Sequence, residues 1–318
     1  MSARPLLRLG LLALGVLAVA TLALGVGTTS VDFSAIWRAD PNALAYRLPR
    51  VLLAALAGAG LGVAGVAFQA LLRNPLADPY VVGVSGGAAL GGVLALVLGL
   101  SATWALPLFA FGGAVASVLA LFSLAHARGK SDPLTLLLIG VVFNSFAAAV
   151  ITFFKAVVTP TKAQEILFWL MGVIGIEAGP TLAALALYVF VGVAALWVLA
   201  GALNLLAMGD DHAASLGLPV GRVRFVAFLA ASLLVGAVVA VAGMIGFVGL
   251  VVPHVLRRLG SADHRWLVPA SALAGATFLV LADAAARLTM FATGTEVPVG
   301  AITAFAGGPF FLALLLRR

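Results

Sequence analysis

Cysteine is absent from the 318 residues, which excludes disulfides, thiolate metal centres and thiol catalysis. Charge is scarce too: 9% of residues are Asp, Glu, Lys or Arg, against about 25% in a soluble domain. No pair of carboxylates sits deep in an apolar run, since Asp283 and Glu296 fall near run ends. An ion-coupled carrier usually buries such a group along its path, so this absence argues against secondary transport and against an intramembrane hydrolase. The net charge of +7 is not a nucleic-acid footprint, because the basic residues are scattered between apolar runs rather than gathered on one face. What the chain has in abundance is hydrophobic residues, 64% of the total, and 36 glycines. Repeated apolar runs of about 20 residues match the ~30 Å hydrocarbon core of a bilayer at ~1.5 Å rise per residue. The fold class that follows is an all-α polytopic membrane protein.

The runs predict about ten spans, at 6–26, 48–72, 81–100, 105–127, 133–158, 180–207, 222–242, 244–258, 266–291 and 298–316. The first follows Arg4 and Arg8 but is too long for a signal-peptide core, and Val26-Gly27-Thr28 is a poor cleavage site. It is read as a retained helix. The eighth is short and holds Pro253, which predicts a tilt or kink. Residues 161–172 are too short to span; Ile166, Leu167, Trp169 and Leu170 recur at helical spacing and predict a half-buried surface helix. The chain is read as one transmembrane domain, 1–318, with 208–224 as a cytoplasmic segment within it. Twelve of the 18 basic residues fall in one set of loops and six in the other. The richer set should face the cytoplasm, which puts both termini inside and Arg47, Arg50 and Arg287 outside.

Gly58 and Gly62, and the ladder Gly83, Gly87 and Gly91, repeat every four residues and so mark helix faces built for close approach. Two glycine-rich runs ending in basic loops, one starting near Ala57 and one near Ala237, raise an inverted repeat of spans 2–5 and 7–10. GLGVAG at 60–65 matches a dinucleotide fingerprint, but it lies inside a span, where helix packing is the better reading. GKS at 129–131 lacks the first glycine of a phosphate loop, since Leu124 stands there. The histidines His126, His212, His254 and His264 show no tight ligand spacing, and no metal site is expected.

Three constellations remain. Arg47 and Arg50 are three apart at a helix start, with Arg287 at the same end of span nine. They serve either as snorkelling, headgroup-contacting residues or as a docking site for acidic groups of an extracytoplasmic partner. In MGDDHAASLGLPVGRVR, 208–224, Asp210 and Asp211 suit the start of a short helix, Gly217 its end and Pro219 the opening of another. The readings are a plain connecting loop or a plug for a soluble partner. In RNPLADP, 73–79, two prolines and Asn74 enforce a tight turn, either a simple reversal or the narrow end of a pathway.

RLPR (47–50), the stretch GLGVAGVAFQALLRNPLADPYVVGVSGGA (60–88) and MGDDHAASLGL (208–218) resemble the permease subunits of bacterial ATP-driven importers for iron–siderophore complexes, haem and cobalamin. The likeness continues through 246–276, LADAAAR (281–287) and EVPVGAITAFAGGPFF (296–311). It implies a homodimer in the bacterial inner membrane, two ATP-binding subunits on the cytoplasmic side and a substrate-binding protein outside. Arg47, Arg50 and Arg287 match positions that pair with acidic residues of that binding protein. Asp210, Asp211, His212, Ser215, Leu216 and Gly217 match the coupling helices that seat in the ATPase. Asn74 and Leu76 match the inner constriction, with Ser131 and Asp132 in a neighbouring loop. The chain itself needs no cofactor; ATP and magnesium belong to the partner. The cargo is a metal chelate, with haem and ferric siderophore ranked level and cobalamin after them. The rival is an ion-coupled carrier or channel that works without an ATPase.

Overall fold

The computed structural model describes residues 3–27, 31–34, 38, 41–100, 104–127, 133–177 and 179–316. Among them the chain is helical almost throughout. The helices are α1 (Ala3–Gly25), α2 (Pro41–Leu71), α3 (Val84–Val97), α4 (Ala105–Ala127), α5 (Pro133–Val157), α6 (Pro160–Leu170) and α7 (Gly179–Val198). They continue as α8 (Ala200–Met208), α9 (Asp210–Ser215), α10 (Val220–Ala242), α11 (Val248–Leu259), α12 (His264–Thr293) and α13 (Val299–Leu316). Among the described residues, 7 helices are long and apolar enough to cross a membrane: α1, α2, α4, α5, α7, α10 and α12. With water absent from the hydrocarbon, each must satisfy its own backbone, which a helix does. The chain is a multi-pass membrane protein.

Three of the expected spans are shorter than predicted, and two of these have a visible cause. The run at 81–100 becomes a tight turn, Pro79–Val82, then Gly83 at φ 94° and the 14-residue α3. The run at 244–258 loses its first turn because Gly243 and Phe247 both take positive φ, leaving the 12-residue α11. A left-handed phenylalanine is costly, so the surroundings must hold it. They do: the two interruptions touch. The Ile245 amide donates to the Tyr80 hydroxyl at 2.9 Å, and Asp78 accepts from the Tyr80 amide at 2.7 Å and also from the Phe247 amide. Burial pushes the Asp78 carboxyl above its ordinary range, against the pull of those two amides. The run at 180–207 also divides, into α7 and α8.

Close approach explains the glycine ladders. A methyl built on Gly58 or Gly62 would overlap the carbonyl of Gly275 or Ser271, so α2 and α12 pack backbone to backbone. Gly87 and Gly91 face Gly113 and the Phe109 carbonyl in the same way, joining α3 to α4. The Gly60–Gly65 run lies wholly within α2, as packing required. Phe68, Phe228 and Phe122 stack edge to face, centroids 5.2 and 4.9 Å apart, locking α2, α10 and α4 together. α1, by contrast, buries little: Leu6, Leu7, Leu11, Leu14, Leu17 and Leu22 face outward, and only one side, with Leu9, Leu12 and Leu24, packs on the core. The surface helix expected at 161–172 is α6: Ile166 is buried and Trp169 lies against Gly92, but Leu167 turns outward.

Candidate functional site at the two ends of the helix bundle

At the first end, the three predicted arginines come together, and each has a partner inside the chain. Helix α1 ends with carbonyls that have no intrahelical donor. Arg47 Nη1 donates to the Leu24 carbonyl at 2.9 Å, and Arg287 Nη1 donates to the Ala23 carbonyl at 3.0 Å and to that of Val26. Cations at a helix C-terminus are favoured by the helix dipole as well. Arg50 lies between two carboxylates. Its Nε and Nη2 donate to Asp283 Oδ1 at 2.9 and 2.8 Å, while Nη1 reaches Glu296 Oε2 at 3.3 Å and Nη2 donates to Glu296 Oε1. Asp283 in turn places Oδ2 3.0 Å from Arg287 Nη2, one helical turn along α12.

Exposure separates the members. Asp283 is 0% and Arg287 2% exposed, Arg50 is 11% and Glu296 28%. Arg287 thus lies inside the protein, and the pair with Asp283 meets the condition for burying a charge. Topology alone offered no reason for these arginines; the structure supplies one, as ties between α1, α2, α12 and the α12–α13 linker. Neither snorkelling nor docking anticipated that. The visible signal was Asp283 four residues before Arg287.

At the opposite end, the stretch 208–224 folds largely as its residues predict. Gly209, at φ 122°, breaks the chain before α9, and Asp210 and Asp211 occupy the first turn. Gly217 sits at φ 82°, and the Gly217 and Leu218 amides donate to Ala214 and Ala213 at 2.9 and 3.1 Å, a Schellman closure. Pro219 precedes α10, as expected, but α10 is the long span itself. The short pair is therefore α8 and α9. Asp210 anchors α9 to its neighbours, accepting from Arg224 of α10 and lying 3.8 Å from Arg73 just past α2. Ala213 is buried beneath, leaving Asp211, His212, Ser215, Leu216 and Gly217 exposed.

The expected tight turn follows α2. Arg73 takes φ 49°, Asn74 Oδ1 accepts from the Leu76 amide at 2.9 Å, and the Asn74 carbonyl from Ala77 at 3.0 Å. Ser131 and Asp132 lie outside the described residues. Beside this turn opens a cleft of about 460 Å³ lined by Gln69, Arg73, Asn204, Arg257, Asp263 and His264. Buried Gln69 donates to the Gly249 carbonyl at 3.1 Å and accepts from Arg257, tying α2 to α11. Asp263 caps α12 through the Arg265 amide at 2.9 Å and accepts from Asn204 at 2.8 Å. Desolvation pushes its carboxyl up, but the Asn204 and Arg265 donors and the Arg265 charge outweigh this and hold it below the ordinary range. Sequence reading passed over Asn204, Arg257 and Asp263; an Asp before an apolar helix was the one legible sign.

A bundle of membrane-crossing helices, with the buried Arg287–Asp283 pair at one end and a short helix of largely exposed residues at the other, defines a multi-pass α-helical membrane protein. Residues 14–317 match the model of the FecCD transport family. The chain is 42% identical to the cobalamin import system permease protein BtuC of Halobacterium salinarum, over 86% of this chain and 72% of that protein. It is 38% identical to the hemin transport system permease protein HmuU of Yersinia pestis, over 99% and 97%. A solved structure described as an inward-facing conformation of a metal-chelate type ABC transporter superposes with TM-score 0.88 at 31% identity, covering 98% of each chain. The chain belongs to the FecCD transport family, and it is the transmembrane permease of an ABC importer.

Proposed function

We propose that this permease carries a metal chelate, haem or ferric siderophore before cobalamin, from an extracytoplasmic binding protein into a bacterial cytoplasm. The relatives named for cobalamin and for hemin match it at similar identity, which supports a chelate and leaves its kind open. In this reading two copies form the pathway, each with about ten spans when α3, α11 and α13 are included. The α9 end faces the cytoplasm with both termini, and two ATPase subunits seat on the exposed face of α9. The arginine end receives the binding protein. The observation that carries the proposal is the course of one helix. α2 bears Arg47 and Arg50 at one end, and Arg73, just past its other end, reaches Asp210 of α9. A shift at either contact is thereby felt by the same rigid element, which is what binding energy needs to bias one packed state over another.

Reversing Arg50 is a poor test, because a glutamate there would be a third acid beside Asp283 and Glu296. The variant to test is Arg47→Glu, at a residue whose Nη1 donates to the Leu24 carbonyl. It should weaken binding-protein affinity by about tenfold while leaving assembly with the ATPase intact. Reversing an acidic residue of the binding protein should restore it. Unchanged affinity for the Arg47→Glu permease would sink the docking reading.

A further inference from the structure

We infer that Glu296 is a place-holder: it occupies Arg50 in the undocked permease and gives up that position to a carboxylate of the arriving binding protein. This inference rests on the docking reading above. Two arginines, Arg50 and Arg287, and two carboxylates, Asp283 and Glu296, sum to zero charge. An acidic partner therefore meets a compensated cluster, and it gains a full pairing with Arg50 only by displacing an acid already there.

The two acids are not equally displaceable. Asp283 is fully buried, lies within α12 and pairs with both arginines, so removing it would strand Arg287 inside the protein. Glu296 is 28% exposed and belongs to the linker between α12 and α13. The backbone beside it is pinned: Gly294 ends α12 at φ 71°, the Thr293 hydroxyl donates to the Thr295 carbonyl at 2.9 Å, and the Val297 amide donates to the Thr289 hydroxyl at 3.0 Å. The side chain alone has to turn outward. Arg50 exchanges one carboxylate for another of the same chemistry, and its bonds to Asp283 persist throughout. Such an exchange costs little in desolvation, and it keeps docking reversible because Glu296 competes for the site at every release.

The test uses the full permease–ATPase complex in nanodiscs of neutral lipid, with the importer's own purified binding protein as the probe. Association and dissociation rates are measured for the wild type, Glu296→Gln and Glu296→Asp. Glu296→Gln should bind about fivefold tighter, chiefly through faster association and with a steeper salt dependence. Glu296→Asp, which keeps the charge, should behave as wild type. Equal or weaker binding by Glu296→Gln, while Arg47→Glu still weakens docking, overturns the exchange and leaves the docking reading standing. No change in either variant removes the docking reading itself. A Glu296→Gln permease that no longer assembles with its ATPase also overturns the exchange, since Glu296 would then be a structural clamp.

Discussion

Arg287 is among the largest fully buried side chains, a guanidinium enclosed within a membrane helix. Such a group persists only where its charge is answered, and here Asp283 and the last carbonyls of α1 answer it. Asp283→Asn keeps the shape and removes the charge, leaving Arg287 with carbonyls alone. The permease should lose about 3–5 kcal/mol of stability, read as an earlier thermal unfolding in detergent. A loss below about 1 kcal/mol would mean that the carbonyls suffice. That these arginines share one end was legible in the chain, because run boundaries and charge counts placed them there. Their partners were not: Asp283 and Glu296 lie 233 and 246 positions from Arg50, and only the folded bundle brings them within bonding distance.

Among the elements, periodicity and turn chemistry carried far. Gly217 ended α9 and the 73–79 turn closed on Asn74, because those geometries demand particular side chains. The interruptions that shorten the 81–100 and 244–258 runs were illegible for the converse reason. Phe247 takes a left-handed backbone that nothing in its chemistry favours; tertiary contacts impose it. Helix contacts were better signalled, since small residues four apart announce close approach. Gly275→Leu should therefore cost at least the ~1–3 kcal/mol of an overpacked core, because backbone atoms of Gly58 cannot move aside. Gly10→Leu, on an α1 face with open space, should be neutral. The yield of folded, monodisperse permease in detergent compares the two, and equal yields would contradict backbone-to-backbone packing of α2 and α12.

For the whole molecule, the proposed division of labour puts the energy source in another chain. Reconstituted alone in liposomes under a proton or sodium gradient, the permease should move no chelate. Uptake should appear when the partner ATPase, ATP and the binding protein are supplied. Gradient-driven uptake by the chain alone would establish the rival, a self-sufficient carrier. Class was readable from composition, runs and motifs, whereas cargo was not. The apolar spans hold few polar groups, and of those, Gln69 and Asn144 bond to backbone carbonyls within the chain.

The shared bond between the two interrupted helices has a mechanical meaning. Tyr80 lends its hydroxyl to the amide of Ile245, and Asp78 reaches across to Phe247, so neither break stands alone. Straightening one into continuous helix would strip a partner from the other. Two joints at distant places in the chain therefore turn on one pin.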